Sequence, residues 1–517
     1  MNLLNDTWIP VQQHGVMEKI TLQQLLCGEK EGELCLPRDD MEMAGLQLLC
    51  SITQVLFVPE NNERLKEFIR NPISQKVYQT AILGKESWFD LAHPETPFMQ
   101  FREVIPSQSE PLTSMDKLLA GVADGANKVF VNPLGLGYGL CSSCTAIALF
   151  NMANNAPSVG GGFLGSFRGN TPLTIMISGR NVRESVWLNV LSQEIISKII
   201  PNYDSAGSDE PNYVNKIPKK SEVNLANVGL VRGLFWQPAH YELCPIDRDD
   251  NCSCCGVEEP LYRHFKKEKF KYSVNGQFRH PLSPVRYDIR NENSKKIRLN
   301  YKFDSFTTSS PVWTKLNRFL YQKDTEHEGH EEAPVVRQAK MILRNDRLRL
   351  IVGGYQYKPP QTATIIHRNH EFIDVASGWP EAFQLINEII NIGLGYKSAL
   401  RKSLFSFMSN AIINASSKKN KDRIGGICSE FDGHFFRRSE ALIYSAIASF
   451  DSLGQEGIQS ELHLSLYKIV IELFAQATDP YQQEPKMLKA LALARRSLNK
   501  SLKELKPMDR GGISESV

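Results

Sequence analysis

The chain has 517 residues, 42% of them hydrophobic, and carries 60 lysines and arginines against 57 acids, a net charge of +3. That length predicts two or three domains, and so balanced a charge argues by itself for no charged partner. Ten cysteines are few for the length, no stretch approaches the ~18 uninterrupted apolar residues of a membrane span, and "MNLLNDTWIPV" lacks the basic and apolar regions of a secretory leader, so a reduced, cytoplasmic protein without a membrane partner is expected.

In chain order, helical periodicity is read at 41–57 and 183–200, and strand-like runs at "LTIMIS" (173–178), "LRLIVGGY" (348–355) and "TATIIHR" (362–368). "NYDSAGSDEPN" (202–212) and "KDTEHEGHEEAP" (323–334) read as exposed loops. The second holds His327 and His330 among acids, but without H-E-x-x-H spacing it is read as a solvated acidic loop. From about Trp379 the texture changes to long amphipathic segments. Phe383, Ile386, Ile389 and Ile390 begin the first, and 435–450, 462–474 and 487–505 follow, with breaks at "ASSKKNKD", "DSLGQEG" and "TDPYQQEP". Short connections between four helices make a bundle, whose cations, among them Lys397, Arg401, Arg437 and Arg438, read mainly as helix surface. The fold class expected is therefore α+β, with a large irregular N-terminal domain over 1–374 and a C-terminal four-helix bundle over 375–517.

Cysteine chemistry is concentrated in "GLCSSCTAI" and "NCSCCG". Each C-x-x-C can chelate from one knuckle, and Cys141, Cys144, Cys252 and Cys255 together supply the four thiolates of a closed, structural zinc site. Gly139 and Gly256 flank the pairs as tight knuckles require. Cys254 is an alternative to Cys252, although the x-x spacing favours Cys252. An enzymatic rival is a zinc-dependent nucleic-acid-modifying enzyme: His240 and Glu242 form H-x-E upstream of the second pair, as in zinc deaminases. Only nine residues separate Glu242 from Cys252, however, and Asn251 replaces the proline of that pattern, so His240 reads as a core histidine.

Residues 263–302 hold twelve lysines and arginines against three acids, and Phe265, Phe270, Tyr272, Phe278 and Tyr287 interleave with them, a pattern suited to nucleic-acid phosphates. In "SVGGGFLGSFRGNTP" (158–172), Gly160, Gly161 and Gly162 allow close backbone approach, and Arg168 is placed to neutralise phosphate; a tight structural turn is the simpler reading of the glycines. "GLGYKS" (393–398) lacks phosphate-loop spacing and lies inside a helical pattern, which argues against a nucleotide hydrolase.

Taken in order, "MNLLNDTWIPV", "LPRDDMEMA", "VFVNPLGLGYGLCSSCTAIALFN", "GGGF", "VRGLFWQPAH", "CSCCG", "KEKF", "TTSSPVW", "LGYKSALRK" and "ALARRSLNKSLKELKP" resemble the CasA family, large subunits of the type I-E CRISPR Cascade complex, over nearly the whole chain. The resemblance implies a subunit without catalysis that reads the protospacer-adjacent motif (PAM) in double-stranded DNA, starts strand separation and R-loop formation, and helps recruit a helicase-nuclease. Its other implied partners are the CRISPR guide RNA and the backbone, 5'-handle-binding and small subunits of the complex. Carried over by residue, Lys269 of "KEKF" is the finger that reaches groove acceptors, and Gly160 and Gly161 form a glycine loop in which Ser158 stands where the family often has another glycine. The wedge falls on the turn "QYKPPQ", with Gln361 favoured, Tyr357 the stacking alternative, and Gln356 and Lys358 the other side chains there. Phe130 and Asn132 are the implied guide-RNA and subunit contacts, with a buried Phe130 equally compatible with the sequence.

Overall fold

A computed structural model describes residues 1–120, 137–156, 165–169, 171–199, 209–218, 220–269, 272–276, 278–292, 295–306, 310–357, 365–411 and 417–505. Side chains at 295, 357, 365–369, 453 and 455 lie outside that description as well. The chain divides into two compact units. One comprises Met1–Thr308, Arg318–Leu343 and Arg349–Phe372, the other Ser309–Asn317, Arg344–Leu348 and Ile373–Val517. Among the described residues no helix is long and apolar enough to cross a membrane.

The first unit is built around two helices that pack on each other, Asp39–Leu56 and Ser142–Asn154. The first is buried at every residue but Asp39 and Glu42, the second at every residue but Ser142, so neither shows the polar face of a surface helix. Asp39, Asp40 and Glu42 place negative charge on the first turn of the leading helix, where free backbone N–H groups favour it. Small sheets surround this pair. Thr174–Ile177 runs antiparallel to Leu348–Tyr357, which also neighbours Ile365–Val375. His264–Glu268 lies between Thr113–Ser114 and His240–Leu243. A four-stranded sheet is ordered Lys295–Phe303, Val285–Glu292, Glu328–Glu331, Lys323–Asp324. These short sheets and buried helices are the irregular α+β architecture expected from the sequence.

The local differences have physical causes. The helical stretch expected at 183–200 is two helices, Val182–Leu188 and Gln193–Ile199. Asn189 leaves the helix because its side chain closes the strand at Ile177, donating to that carbonyl at 2.7 Å and accepting from that amide at 2.9 Å. The Leu191 and Ser192 amides then donate to Gln54 and Gln338 at 2.6 and 2.8 Å instead of to carbonyls one turn back. Of the loop expected at 202–212, residues 202–208 lie outside the described residues, while Pro211 and Asn212 are buried, contrary to an exposed loop. The acidic loop expected at 323–334 is also corrected: it contains a hairpin, and Glu331 and Glu332 are buried among cations. Arg279 lies 2.7 Å from Glu331, Arg337 contacts both acids, and Lys340 lies 3.0 Å from Glu332.

In the second unit helices run Phe383–Ala411, Lys418–Thr478 and Leu488–Leu505. The 61-residue middle segment is two helices joined at Gly454, whose φ of 69° breaks the helix inside "DSLGQEG", so these segments make four helices among the described residues. "ASSKKNKD" proves shorter as a break than its composition suggests, because Ser417 caps the next helix by accepting from the Asn420 amide. Gly393, in the stretch that failed as a phosphate loop, sits inside the first helix. A Cβ there would come within 2.9 Å of Trp313 and 3.0 Å of Ile443, so its role is close packing.

Candidate metal centre and nucleic-acid interface

Two backbone segments far apart in sequence bring the cysteines together. Leu140 and Tyr262 exchange two backbone hydrogen bonds of 2.9 Å, and Ser253 donates to the Gly139 carbonyl at 2.9 Å. Gly139 lets the segments approach closely, since a Cβ there would come within 2.8 Å of the Leu261 side chain. On the other side, Cys252–Gly256 closes a turn through the Gly256 amide and the Cys252 carbonyl at 2.8 Å, and Gly256 has a φ of +74°. Cys141 occupies the N-cap position of the helix Ser142–Asn154, without a side-chain capping bond, and Cys144 stands on its first turn.

The Sγ atoms of Cys141, Cys144, Cys252 and Cys255 all lie within 4.8 Å of one another, the first three residues being buried. Cys141 and Cys255 are 3.7 Å apart. A tetrahedron with metal–sulfur bonds of about 2.3 Å has edges of about 3.8 Å, so the four positions fit a closed tetrathiolate shell. Cys254 is buried but outside this group, so the sulfurs that cluster are those of the set with Cys252. Hydrogen bonds from Cys141 and then Cys144 hold Cys252 and Cys255 toward the thiolate, while Cys144 is pushed up by its bonds to Cys141 and Cys252. The Cys141 amide adds an N–H···S bond to Cys252 at 3.3 Å.

A cation that no cysteine pattern signals completes the surroundings. Lys19 places Nζ 3.9 Å from the Cys141 sulfur and pairs with Glu259. Burial works against its charge, but the Cys141 sulfur and Glu259 outweigh it and hold the ammonium's pKa above its ordinary value. His240 and Glu242 take no part in the cluster. His240 stacks on Phe101 at 3.9 Å, and Glu242 faces Arg102 and Lys266 at 3.8 and 3.5 Å.

The basic segment differs from its sequence reading. Phe265, Tyr272, Phe278 and Tyr287 are core residues, so they offer no stacking platform. Six of the ten cations whose side chains are described meet carboxylates from outside the segment. Arg263 lies 2.9 Å from both Asp247 and Asp250, Lys267 3.1 Å from Glu110, Arg298 2.9 Å from Asp324, and Arg286 3.8 Å from Asp304. Lys269 is exposed just beyond the strand His264–Glu268 and, like the exposed Lys296 and Lys302 of the same segment, has no ion-pair partner among the described residues. Arg168, read as a phosphate contact, is 3% exposed and spends its guanidinium on Thr174, Ser283, Asn154 and Asn155. Burial pulls its pKa down to about 9. Gln356 is 4% exposed on its strand, which removes it from the side chains offered by the following turn. Phe130, Asn132, Ser158, Gly160, Gly161, Lys358 and Gln361 lie outside the described residues, as does the side chain of Tyr357.

Solved structures with this fold cover almost the entire chain. A CasA (Cse1) structure from Thermus thermophilus is similar at a TM-score of 0.71 and 15% identity, covering 98% of this chain and 99% of that one. Cse1 from Acidimicrobium ferrooxidans gives 0.69 and 15%, with the same two coverages. A chain of a CRISPR RNA-guided surveillance complex gives 0.64 and 14%, covering 96% and 99%. Identities this low establish the shared fold alone. The sequence itself carries the family signature, since the family model for CRISPR-associated protein Cse1 matches residues 2–473. The chain belongs to the CRISPR-associated Cse1 family.

Proposed function

We propose that this chain is the large, non-catalytic subunit of a cytoplasmic RNA-guided surveillance complex. In this reading it recognises the PAM in double-stranded DNA, nucleates strand separation and R-loop formation, and helps recruit a helicase-nuclease that makes the cut. The observation that carries the proposal is the family match over residues 2–473, and the similarity to a chain of an RNA-guided surveillance complex supports it. Guide pairing then reads sequence, and the protein needs only a short duplex readout and a device to open the helix. Lys269 is the proposed finger: an exposed lysine beside cations that are already paired suits an acceptor-lined minor groove, whose degenerate pattern predicts tolerance of several motifs. Gly160 and Gly161, with Ser158, are the proposed glycine loop, Gln361 or Tyr357 the wedge, and Phe130 and Asn132 the guide-RNA and subunit contacts. Residues 1–374 form the proposed N-terminal domain and 375–517 the bundle. The metal is proposed to be structural zinc, because four thiolates leave no open position for substrate.

A PAM-library binding assay on the reconstituted complex, with and without this chain, tests the reading. Motif-dependent duplex binding should require the chain, and equal motif preference in its absence would contradict the proposal. Deaminase and nuclease assays on the metal-loaded chain alone test the enzymatic rival, and turnover that disappears in Glu242→Gln would favour it.

A further inference from the structure

A line of buried polar side chains crosses the first unit. Arg168 donates to Asn155 Oδ1 at 2.5 Å, Asn155 Nδ2 to Asn151 Oδ1 at 3.0 Å, and Asn151 Nδ2 to the Tyr355 hydroxyl at 2.7 Å. Tyr355 in turn donates to Asp40 Oδ2 at 2.7 Å, and Arg38 grips the same carboxylate through two bonds of 3.0 and 2.7 Å. Apart from Arg38, every member is at least nine-tenths buried. All donors between Arg168 and Asp40 point the same way, from a guanidinium at one end to a carboxylate at the other. Among the described residues no ion pair involves Arg168 directly. Chains with one sense of donation polarise each other, and loss of the Tyr355 hydroxyl removes the acceptor of the buried Asn151 amide while Asp40 keeps Arg38.

The relay also ties together the places where three chain segments begin or end. Arg38 donates to the Ala120 carbonyl at 3.0 Å, immediately before residues 121–136. Asn155 and Arg168 bracket residues 157–164, and Tyr355 lies on the strand that leads into 358–364. These segments hold the proposed guide-contact, glycine-loop and wedge residues.

We infer that Tyr355, Asn155 and Arg168 are positioning residues that hold the roots of the motif-reading and strand-opening segments in one register, so that motif binding and duplex opening act as a single event. This rests on the functional reading above. It requires the relay to matter for opening an intact duplex and not for duplex that is already open.

The test measures base accessibility during R-loop formation by the reconstituted complex, on a linear duplex carrying the motif and on the same duplex with a pre-opened bubble beside it. Tyr355→Phe keeps the ring and removes only the link. It should slow opening of the linear duplex about tenfold while leaving the bubble substrate at the parental rate. Asn155→Asp, which gives Arg168 a local counter-charge and cuts the polarisation, should shift the linear-to-bubble ratio in the same direction and serves if Tyr355→Phe fails to assemble. Tyr396→Phe, which removes a buried hydroxyl bonded to His463 at 3.1 Å in the second unit, should leave the ratio unchanged. An unchanged ratio in both relay variants, or equal slowing on both substrates, would overturn the inference. Loss of motif dependence in the unmutated complex would instead sink the functional reading and this inference with it.

Discussion

The cysteine cluster and the basic segment at 263–302 follow each other closely in sequence, yet their chemistry closes in opposite ways. Around the cluster, four thiols far apart in sequence turn toward one another, and Lys19 and a backbone amide supply positive potential to sulfur. In the basic segment the charges turn away from one another, toward Asp247, Asp250, Glu110, Glu242, Asp324 and Glu331. Cysteine pairs have few uses in a reduced protein, so their spacing keeps its meaning in the fold. Net charge has no such protection, because the acids that cancel it come from anywhere in the chain. What remains for a polyanion are the cations left without an ion pair, and among the described residues Lys269, Lys296 and Lys302 fit that description.

The contrast can be broken most severely at the cluster. Cys252→Ser should release the proposed zinc and cost on the order of 5 kcal/mol or more, read as lost metal stoichiometry by mass spectrometry and a collapsed thermal transition of the first unit. Cys254→Ser should keep about one metal per chain, since that thiol stands outside the tetrahedron. Next in size is the buried ion cluster of Glu331. Burial raises its pKa, but Arg279 and Arg337 outweigh this and hold it below the ordinary carboxylate range. The folded form therefore binds the proton more weakly than the unfolded chain. The stability it contributes is present above the unfolded value of about 4.3 and is lost as pH falls through the lower folded value. Glu331→Gln should cost roughly 3 kcal/mol at neutral pH by removing the carboxylate of Arg279 and leaving Arg337 with Glu332 alone, and should flatten the acid limb of a stability–pH curve from denaturant titrations.

Smaller changes sharpen the comparison. Lys19→Met should weaken metal retention roughly 10- to 100-fold in competition with a chelator while circular dichroism of the loaded protein is unchanged, because the tetrathiolate shell loses the cation beside Cys141. Lys266→Ala should do least. Its pair with Glu242 at 3.5 Å is partly exposed and screened by water, so thermal unfolding should change by less than about 1 kcal/mol.

How much of this could be read from the sequence depended on how local the chemistry is. Both C-x-x-C knuckles and their glycines were legible because chelation and tight turns are local demands, whereas Cys252 and Cys254 could be separated only by the positions of the sulfurs. The bundle was legible from period and breaks, and the kink at Gly454 sits inside one of those breaks. The interruption at Asn189 was hidden because its reason, the Ile177 strand end, lies on another element. Arg168 looked like a phosphate ligand beside a glycine run, but the groups that satisfy it, such as Ser283, become its neighbours only in the fold. Lys19 carried no signal, since nothing in the short strand Val16–Ile20 announces a sulfur 122 positions away.

The most direct measurement compares motif discrimination by reconstituted complexes carrying the unmutated chain, Lys269→Ala and Lys266→Ala, each binding a duplex library at fixed salt. The account predicts that Lys269→Ala loses about 1–3 kcal/mol of preference for good over poor motifs, with assembly and metal content intact, while Lys266→Ala matches the unmutated chain. Unchanged discrimination in Lys269→Ala, or equal losses in both variants, would contradict it.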